Sequence, residues 1–429
     1  MTSDNLTAAT PSTAADTNKP TPVLSLSDNV SAESQLRMQK TAAAVDVAGV
    51  IFDQAATRVH EFHRAISDKP FAVVNAGLGQ LAKPVTALHN GITDFVYGSV
   101  RVIGKGLFTA GAATLKAASP FVNFSPATPA YDKNLSAVAS AVSGIVGDQL
   151  AAGKSALAPE LGFYRANQKL QLNTAALARA FPDAADHLVV FVHGLCCNED
   201  SWWMYSNPAS QSGQKGSYGE HLESLGGRSS LYVRYNTGLT VKTNGRRLKR
   251  ELEVLVAQWP TPVKRLTLVG HSMGGLVSRV VLDQAIGTKS PLVDLLQDVV
   301  CLGSPHEGAP LARISAKGET LFDIFDLSRP VSKVLGVRSK GVRNLEQGLG
   351  ATPVTQYLGV KFHLLGSTIG TFEQPKLADT IGDGLVQITS SLSADGRPES
   401  LVAYERTHHM QLLNDAKIRL RLEEITANA

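Results

Sequence analysis

From residue 187 onward, short apolar runs alternate with amphipathic stretches. The runs are HLVVFV (187–192), SLYVRY (230–235), RLTLV (265–269), DVVCLGS (298–304), KFHLLGST (361–368) and SLVAYE (400–405). Most are near-continuously apolar, as parallel strands covered on both faces are. Between them lie helical patterns. In NGRRLKRELEVLVAQW, Leu248, Leu252, Leu255 and Val256 share one face. Strands alternating with helices imply right-handed crossovers, so the expected class is α/β, a doubly wound, mostly parallel sheet.

The first part of the chain reads differently. Residues 1–30 are rich in Ala, Thr, Ser, Asp and Pro and read as a disordered tail. Over 31–66, Val45, Ala48, Phe52, Ala55, Val59, Phe62 and Ile66 follow at helical spacing, and Pro70 ends the pattern. Residues 71–118 mix apolar and small residues; they fit a helical hairpin packed on the next domain, or one lying on a membrane or lipid surface. Residues 120–186 read as a connector and two helices. The expected division is a tail (1–30), a helical N-terminal region (31–180) and an α/β domain (181–429). The stretch 309–358 breaks the strand–helix rhythm where a cap is expected. Its apolar residues, Leu321, Phe322, Ile324 and Phe325 among them, fit a lid or ordinary helix cores equally.

Composition narrows the function. The chain has 429 residues, 43% of them hydrophobic and 18% charged, with a formal net charge of +4. That is a globular composition, and its scattered basic residues do not point to nucleic acid. Cys196, Cys197 and Cys301 make an odd set with two adjacent members, which reads as reduced thiols in a cytoplasmic protein rather than a disulfide framework. The N-terminus lacks the basic and apolar regions of a secretory signal. No apolar run reaches about 18 residues, so no transmembrane helix is expected. His60 and His63 stand three apart without a third ligand at recognisable spacing and read as two surface histidines.

The chemistry centres on LTLVGHSMGGLVSRVVL, residues 266–282. A strand ending in Gly-x-Ser-x-Gly and running straight into a helix is a nucleophile elbow. It forces Ser272 into a strained turn with its Oγ projecting, while Gly270 and Gly274 let strand and helix pass closely. A serine hydroxyl needs a base, and the base an orienting acid, here in the chain order Ser, acid, His. Asp383, in a Gly-Asp-Gly turn, is the first candidate acid, with Asp379 and Glu373 nearby. His408 and His409, after the last strand, are the candidate bases. For the oxyanion, the backbone N–H of Met273 is one expected donor. The loop after HLVVFV supplies the other, Leu195, with Cys196 as the alternative. Gly194, Trp202 and His306 are candidate substrate contacts. Trp202 and Trp203 would form a hydrophobic wall, and His306 could instead hold its loop by hydrogen bonds. The cysteines beside Leu195 have no paired base and read as small buried fillers.

The blocks VVFVHGL, YVRYNTG, NGRRL, LTLVGHSMGGLVSR, LGSPHEGAPLA, GDGLV and HHMQLL, in that order, resemble the α/β-hydrolase superfamily. They look most like its bacterial lipase and esterase branch, which is similar to the GPI-inositol deacylases. The resemblance spans about residues 185–425. It implies a serine ester hydrolase that needs no metal or organic cofactor and acts on a lipid-like or other acyl ester. In such relatives the base stands about three residues before a Leu-Leu pair, which here is His409, and the block 302–308 lies near the active site. Leu-Cys-Cys after His193-Gly194 departs from the usual small or glycine-rich run. An acyltransferase or thioesterase would share the acyl-enzyme. A third possibility places the main role in the N-terminal helices, as a peripheral membrane or lipid-surface binder.

Overall fold

In a computed structural model of the protein, the described residues are 32, 34–50, 109–117, 129–165, 168–206, 216–309, 339–350, 352–353, 359–395 and 398–427. The expected tail, His60 and His63, most of the expected helical hairpin (71–118) and most of the expected cap (309–358) lie outside them.

Eight strands form one sheet. They are β1 (Gly162–Arg165), β2 (Gln168–Lys169), β3 (His187–Val192), β4 (Ser229–Arg234), β5 (Arg265–His271), β6 (Leu296–Leu302), β7 (Lys361–Ser367) and β8 (Ser400–Tyr404). Their spatial order is β8-β7-β6-β5-β3-β4-β1-β2. The six from β3 to β8 run parallel, and β1 and β2 are antiparallel additions at the β4 edge. A separate pair of two-residue strands, Thr352–Pro353 and Ala394–Asp395, lies outside this sheet.

The apolar runs of the sequence are the parallel strands, because both faces of the sheet are covered. On β3, Leu188, Val190 and Val192 enter one core, while Val189 and Phe191 enter the other. The first core is closed by Leu248, Leu252 and Leu255 of helix Val241–Gln258 and by helix Met273–Gly287. Thr240 starts the former helix by accepting from the N–H of Thr243 at 3.1 Å. The second core is closed by Tyr218 and Leu222 of helix Tyr218–Ser224 and by Leu412, Leu413, Ile418 and Leu422 near the C-terminus.

The N-terminal region is more closely joined to the sheet than the sequence implies. Where two helices are expected after the connector, the chain makes helix Pro129–Ala152, then β1 and β2, then helix Thr174–Ala180. The sheet thus starts at Gly162, inside the stretch read as helical. Phe163 is carried into the first core, Tyr164 on the opposite face is also buried beneath the Arg234 guanidinium (3.9 Å), and only Arg165 at the strand's end is exposed. Helix 34–50 leans on helix 129–152: Ala43 shares a small core with Val142, Leu150 and Leu157. Lys116 of helix 109–117 pairs with Asp46 at 3.0 Å. Among the described residues, no helix is long and apolar enough to cross a membrane.

Candidate active site

The C-terminal ends of the parallel strands carry the candidate residues to one edge of the sheet. Ser272 stands between β5 and helix 273–287 with φ 53° and ψ −120°. A non-glycine residue there is strained, by about 1–2 kcal/mol, and survives only where its surroundings force it. The glycines supply that force. A methyl group at Gly270 would lie 2.3 Å from the Gly275 nitrogen, and one at Gly274 only 2.0 Å from the Val192 carbonyl oxygen. The strand–helix crossing therefore has no space for either side chain, and Ser272 alone sits at its tip. Its N–H donates to the Leu302 carbonyl at 2.8 Å, which ties the turn to β6.

Asp383 and His409 meet. The Nδ1–H of His409 donates to Asp383 Oδ2 at 2.7 Å, and both side chains are buried. The other oxygen of Asp383 accepts from the N–H groups of Leu385 (3.0 Å) and Val386 (2.8 Å). The carboxylate is thus fixed by its own turn, which Gly382 (φ 56°) and Gly384 (φ 94°) allow. The His409 N–H donates to the Asp383 carbonyl at 2.9 Å, so backbone as well as side chain is held. This leaves Nε2 of His409 as the acceptor nitrogen. Gly303, after β6, lies against the pair: a methyl group there would be 3.1 Å from Asp383 Oδ2 and 3.3 Å from His409 Cε1. Gly194 stands beside the serine, where a methyl group would be 3.1 Å from Ser272 Cβ.

His408 points elsewhere, edge-on to Tyr205 with ring centroids 5.6 Å apart. A further histidine, which no pattern in the sequence singles out, also matters. The Nε2–H of His271, the residue before Ser272, donates to the His409 carbonyl at 3.0 Å. Its ring is 4.6 Å from that of His409. Burial pushes its pKa well below the ordinary histidine value, so it stays neutral and does not oppose a positive charge on His409.

The two amides expected for an oxyanion also stand on this edge. Met273 is the first residue of its helix, and such N–H groups have no partner within the helix. Cys196 is excluded as the alternative donor, because its N–H is taken by Thr237 Oγ1 at 3.3 Å. Among the described residues, no acceptor engages the Leu195 N–H. The loop is braced by a buried Arg234–Glu199 ion pair, in which Nε donates to Oε2 at 2.7 Å.

Residues 182–311 match the family described as "Putative serine esterase (DUF676)". This span holds β3 to β6, including the Ser272 turn. With the sheet order and the turn after β5, this decides the fold. The chain has the α/β-hydrolase fold, and within it residues 182–311 are similar to that family. No curated protein matches it. Among solved structures, the mature Bacillus licheniformis lipase BlEst2 is similar at 17% identity and TM-score 0.38, over 57% of this chain and 92% of that one. A Listeria innocua gene product (lin2722) is similar at 15% identity and TM-score 0.33, over 57% and 95%. Phospholipase PlaB from Legionella pneumophila is similar at 19% identity and TM-score 0.32, over 48% and 44%. Likenesses this distant carry nothing about substrate.

In this fold the two residues of the expected aromatic wall part ways: Trp203 is half-buried against Tyr232 (ring centroids 4.6 Å), and Trp202 is withdrawn into the core. Trp202 is fully buried, packed against Phe191 (5.1 Å) and Tyr218 (6.3 Å) in the second core, so it presents no surface to a ligand. The apolar residues of the loop after β3 turn down into the sheet because a large core lies directly beneath them. His306 is likewise fully buried, with its N–H bonded to Ser390 O at 3.2 Å and its carbonyl accepting from Leu349 N–H at 2.8 Å. Both bonds hold its loop rather than a substrate. Its pKa is pushed down to about 3 by burial. Cys196, Cys197 and Cys301 are free, buried thiols, and burial raises their pKa values, Cys197 and Cys301 to about 12. That is the reverse of an activated cysteine. Among the described residues, no group of His, Cys, Asp and Glu could hold a metal ion.

Proposed function

We propose that the protein is a serine hydrolase that cleaves carboxylic esters, most naturally those with lipid-like acyl chains. Ser272 Oγ attacks the ester carbonyl, and His409 Nε2 takes its proton. Asp383 holds the imidazole in the tautomer that makes this possible and stabilises it once charged. The Leu195 and Met273 amides receive the oxyanion. The alcohol leaves with the proton returned by His409. Water, activated by the same nitrogen, then releases the acid and regenerates the serine.

The observation that carries the reading is the pairing of a strained serine, with φ of 53° between β5 and its helix, with a buried His409–Asp383 hydrogen bond of 2.7 Å at the same sheet edge. A scaffold has no use for such strain. The match of residues 182–311 to serine esterases supports it independently. The test is hydrolysis of p-nitrophenyl esters from acetate to palmitate by the wild type and Ser272→Ala. Loss of activity in the variant by several orders of magnitude is the expected result. An optimum at long chains supports the lipid reading, and one at acetate refutes it. Activity that survives Ser272→Ala refutes the mechanism.

A further inference from the structure

Helix 129–152 reaches the site from a part of the chain that the proposed reaction does not use. It crosses the loop after β3 with small residues only. A methyl group at Gly144 would lie 2.1 Å from Cys196 Sγ and 3.1 Å from Cys196 N. One turn on, Gly147 faces the turn after β4: Asn236 Nδ2 donates to its carbonyl at 2.8 Å, and a methyl group on Gly238 would lie 2.6 Å from Gly147 Cα. Two turns before Ser143, Ser136 Oγ accepts from Asn198 Nδ2 at 3.2 Å. The helix is kinked at Val146 (φ −130°, ψ 18°), between the two glycines that meet the loops.

The hydrogen bonds at the centre run in one direction. Ser143 Oγ donates to the Ser140 carbonyl at 2.9 Å, so it can only accept in its 3.3 Å contact with Thr237 Oγ1. Thr237 therefore gives its proton to Ser143 and accepts from the Cys196 N–H at 3.3 Å. This chain fixes Cys196, which has φ 61°, a left-handed value that a cysteine keeps only when its surroundings impose it. The peptide before that amide belongs to Leu195, whose own N–H is left for the site.

We infer that helix 129–152 is a clamp on the oxyanion loop, and that Ser143, Gly144 and Thr237 are positioning residues that aim the Leu195 amide. This rests on the proposed esterase reading for its consequence in catalysis, but not for its structural content. The N-terminal part of the chain thereby acts on the reaction without touching substrate. An oxyanion donor displaced by a fraction of an ångström weakens the transition state more than the bound ester, so kcat falls while KM stays.

The test compares Gly144→Ala, Thr237→Val and Thr237→Ser in the full chain, by steady-state hydrolysis of p-nitrophenyl butyrate and by amide hydrogen exchange of the peptide covering 193–198. The expected result is a kcat lower by about tenfold or more in the first two, with KM within about twofold. Exchange of 193–198 is at least about tenfold faster, and Thr237→Ser, which keeps the hydroxyl, stays near wild type. Thr237→Val carries the test if Gly144→Ala fails to fold. Unchanged kcat and exchange in Thr237→Val, with hydrolysis still dependent on Ser272, overturns the clamp. If the wild type hydrolyses no ester, the esterase reading fails, and exchange in Thr237→Val alone decides the clamp: faster exchange upholds it and unchanged exchange overturns it.

Discussion

Gly274→Ala is the sharpest test of the strand–helix crossing. The added methyl would lie 2.0 Å from the Val192 carbonyl oxygen and 2.7 Å from that of His193, where real contacts of this kind do not fall below 3.0 Å. Both atoms are backbone, so no side chain can swing aside. Helix 273–287 or β3 must move by about an ångström. Overpacking of this kind costs about 1–3 kcal/mol or more. Ser272 is on the same turn, and a misplacement of about 1 Å at a reacting group costs about a hundredfold in rate. The variant should therefore melt several degrees below wild type and hydrolyse p-nitrophenyl butyrate about a hundredfold more slowly. Gly287→Ala, at the far end of the same helix with nothing within 4 Å of the new methyl, is the control. It should be neutral or stabilising by up to about 1 kcal/mol. Wild-type melting and kcat in Gly274→Ala would refute the crossing as described.

Further outcomes follow from the same geometry. In Asp383→Asn, the side-chain oxygen keeps the bonds from Leu385 and Val386, so its NH2 faces His409 Nδ1 and forces the proton onto Nε2. Such a histidine cannot take the serine proton, and kcat should fall about ten-thousand-fold with little change in melting temperature. Burial lowers the pKa of His187 to about 4 and of His193 and His306 to about 3. These groups stay neutral in the folded chain while the unfolded chain binds protons below about 6.5, so their contribution is full above that pH. It is lost as pH falls from about 6.5 towards 4, by up to about 1.4 kcal/mol per pH unit for each group. Urea midpoints at pH 7.5, 6 and 5 check this, and a midpoint that rises on acidification contradicts it. The three buried thiols should not react with a thiol-specific dye in the native state and should all react in denaturant; prompt native labelling would contradict the burial of the loop after β3, for Cys196 and Cys197, or of β6, for Cys301.

The parallel sheet was legible because burial on both faces writes itself as unbroken apolar runs, and all six runs correspond to β3–β8. The Ser272 turn was legible because tight crossings demand glycine at fixed offsets, and Gly382 and Gly384 flag the Asp383 turn for the same reason. β1 and β2 were not legible, since four and two residues at a sheet edge carry too little pattern to separate from a helix. Trp202 misled because an aromatic pair just past the oxyanion loop fits a pocket wall, whereas its fate depends on Phe191 and Tyr218 beneath it. Nothing local marks Gly144 as a neighbour of Cys196, 52 residues away in the chain. Nor does the motif say that its own histidine, His271, would hold the His409 carbonyl. Such long-range contacts are set by the packed fold alone.

The central claim is that Ser272 is a nucleophile activated by its surroundings. It is tested most directly by covalent labelling with a fluorophosphonate and location of the adduct by peptide mass spectrometry. The account predicts one adduct per chain, on Ser272, with labelling lost in Ser272→Ala and strongly slowed in Asp383→Asn. An adduct on another residue, or a Ser272 that stays unlabelled in the folded wild type, would contradict it.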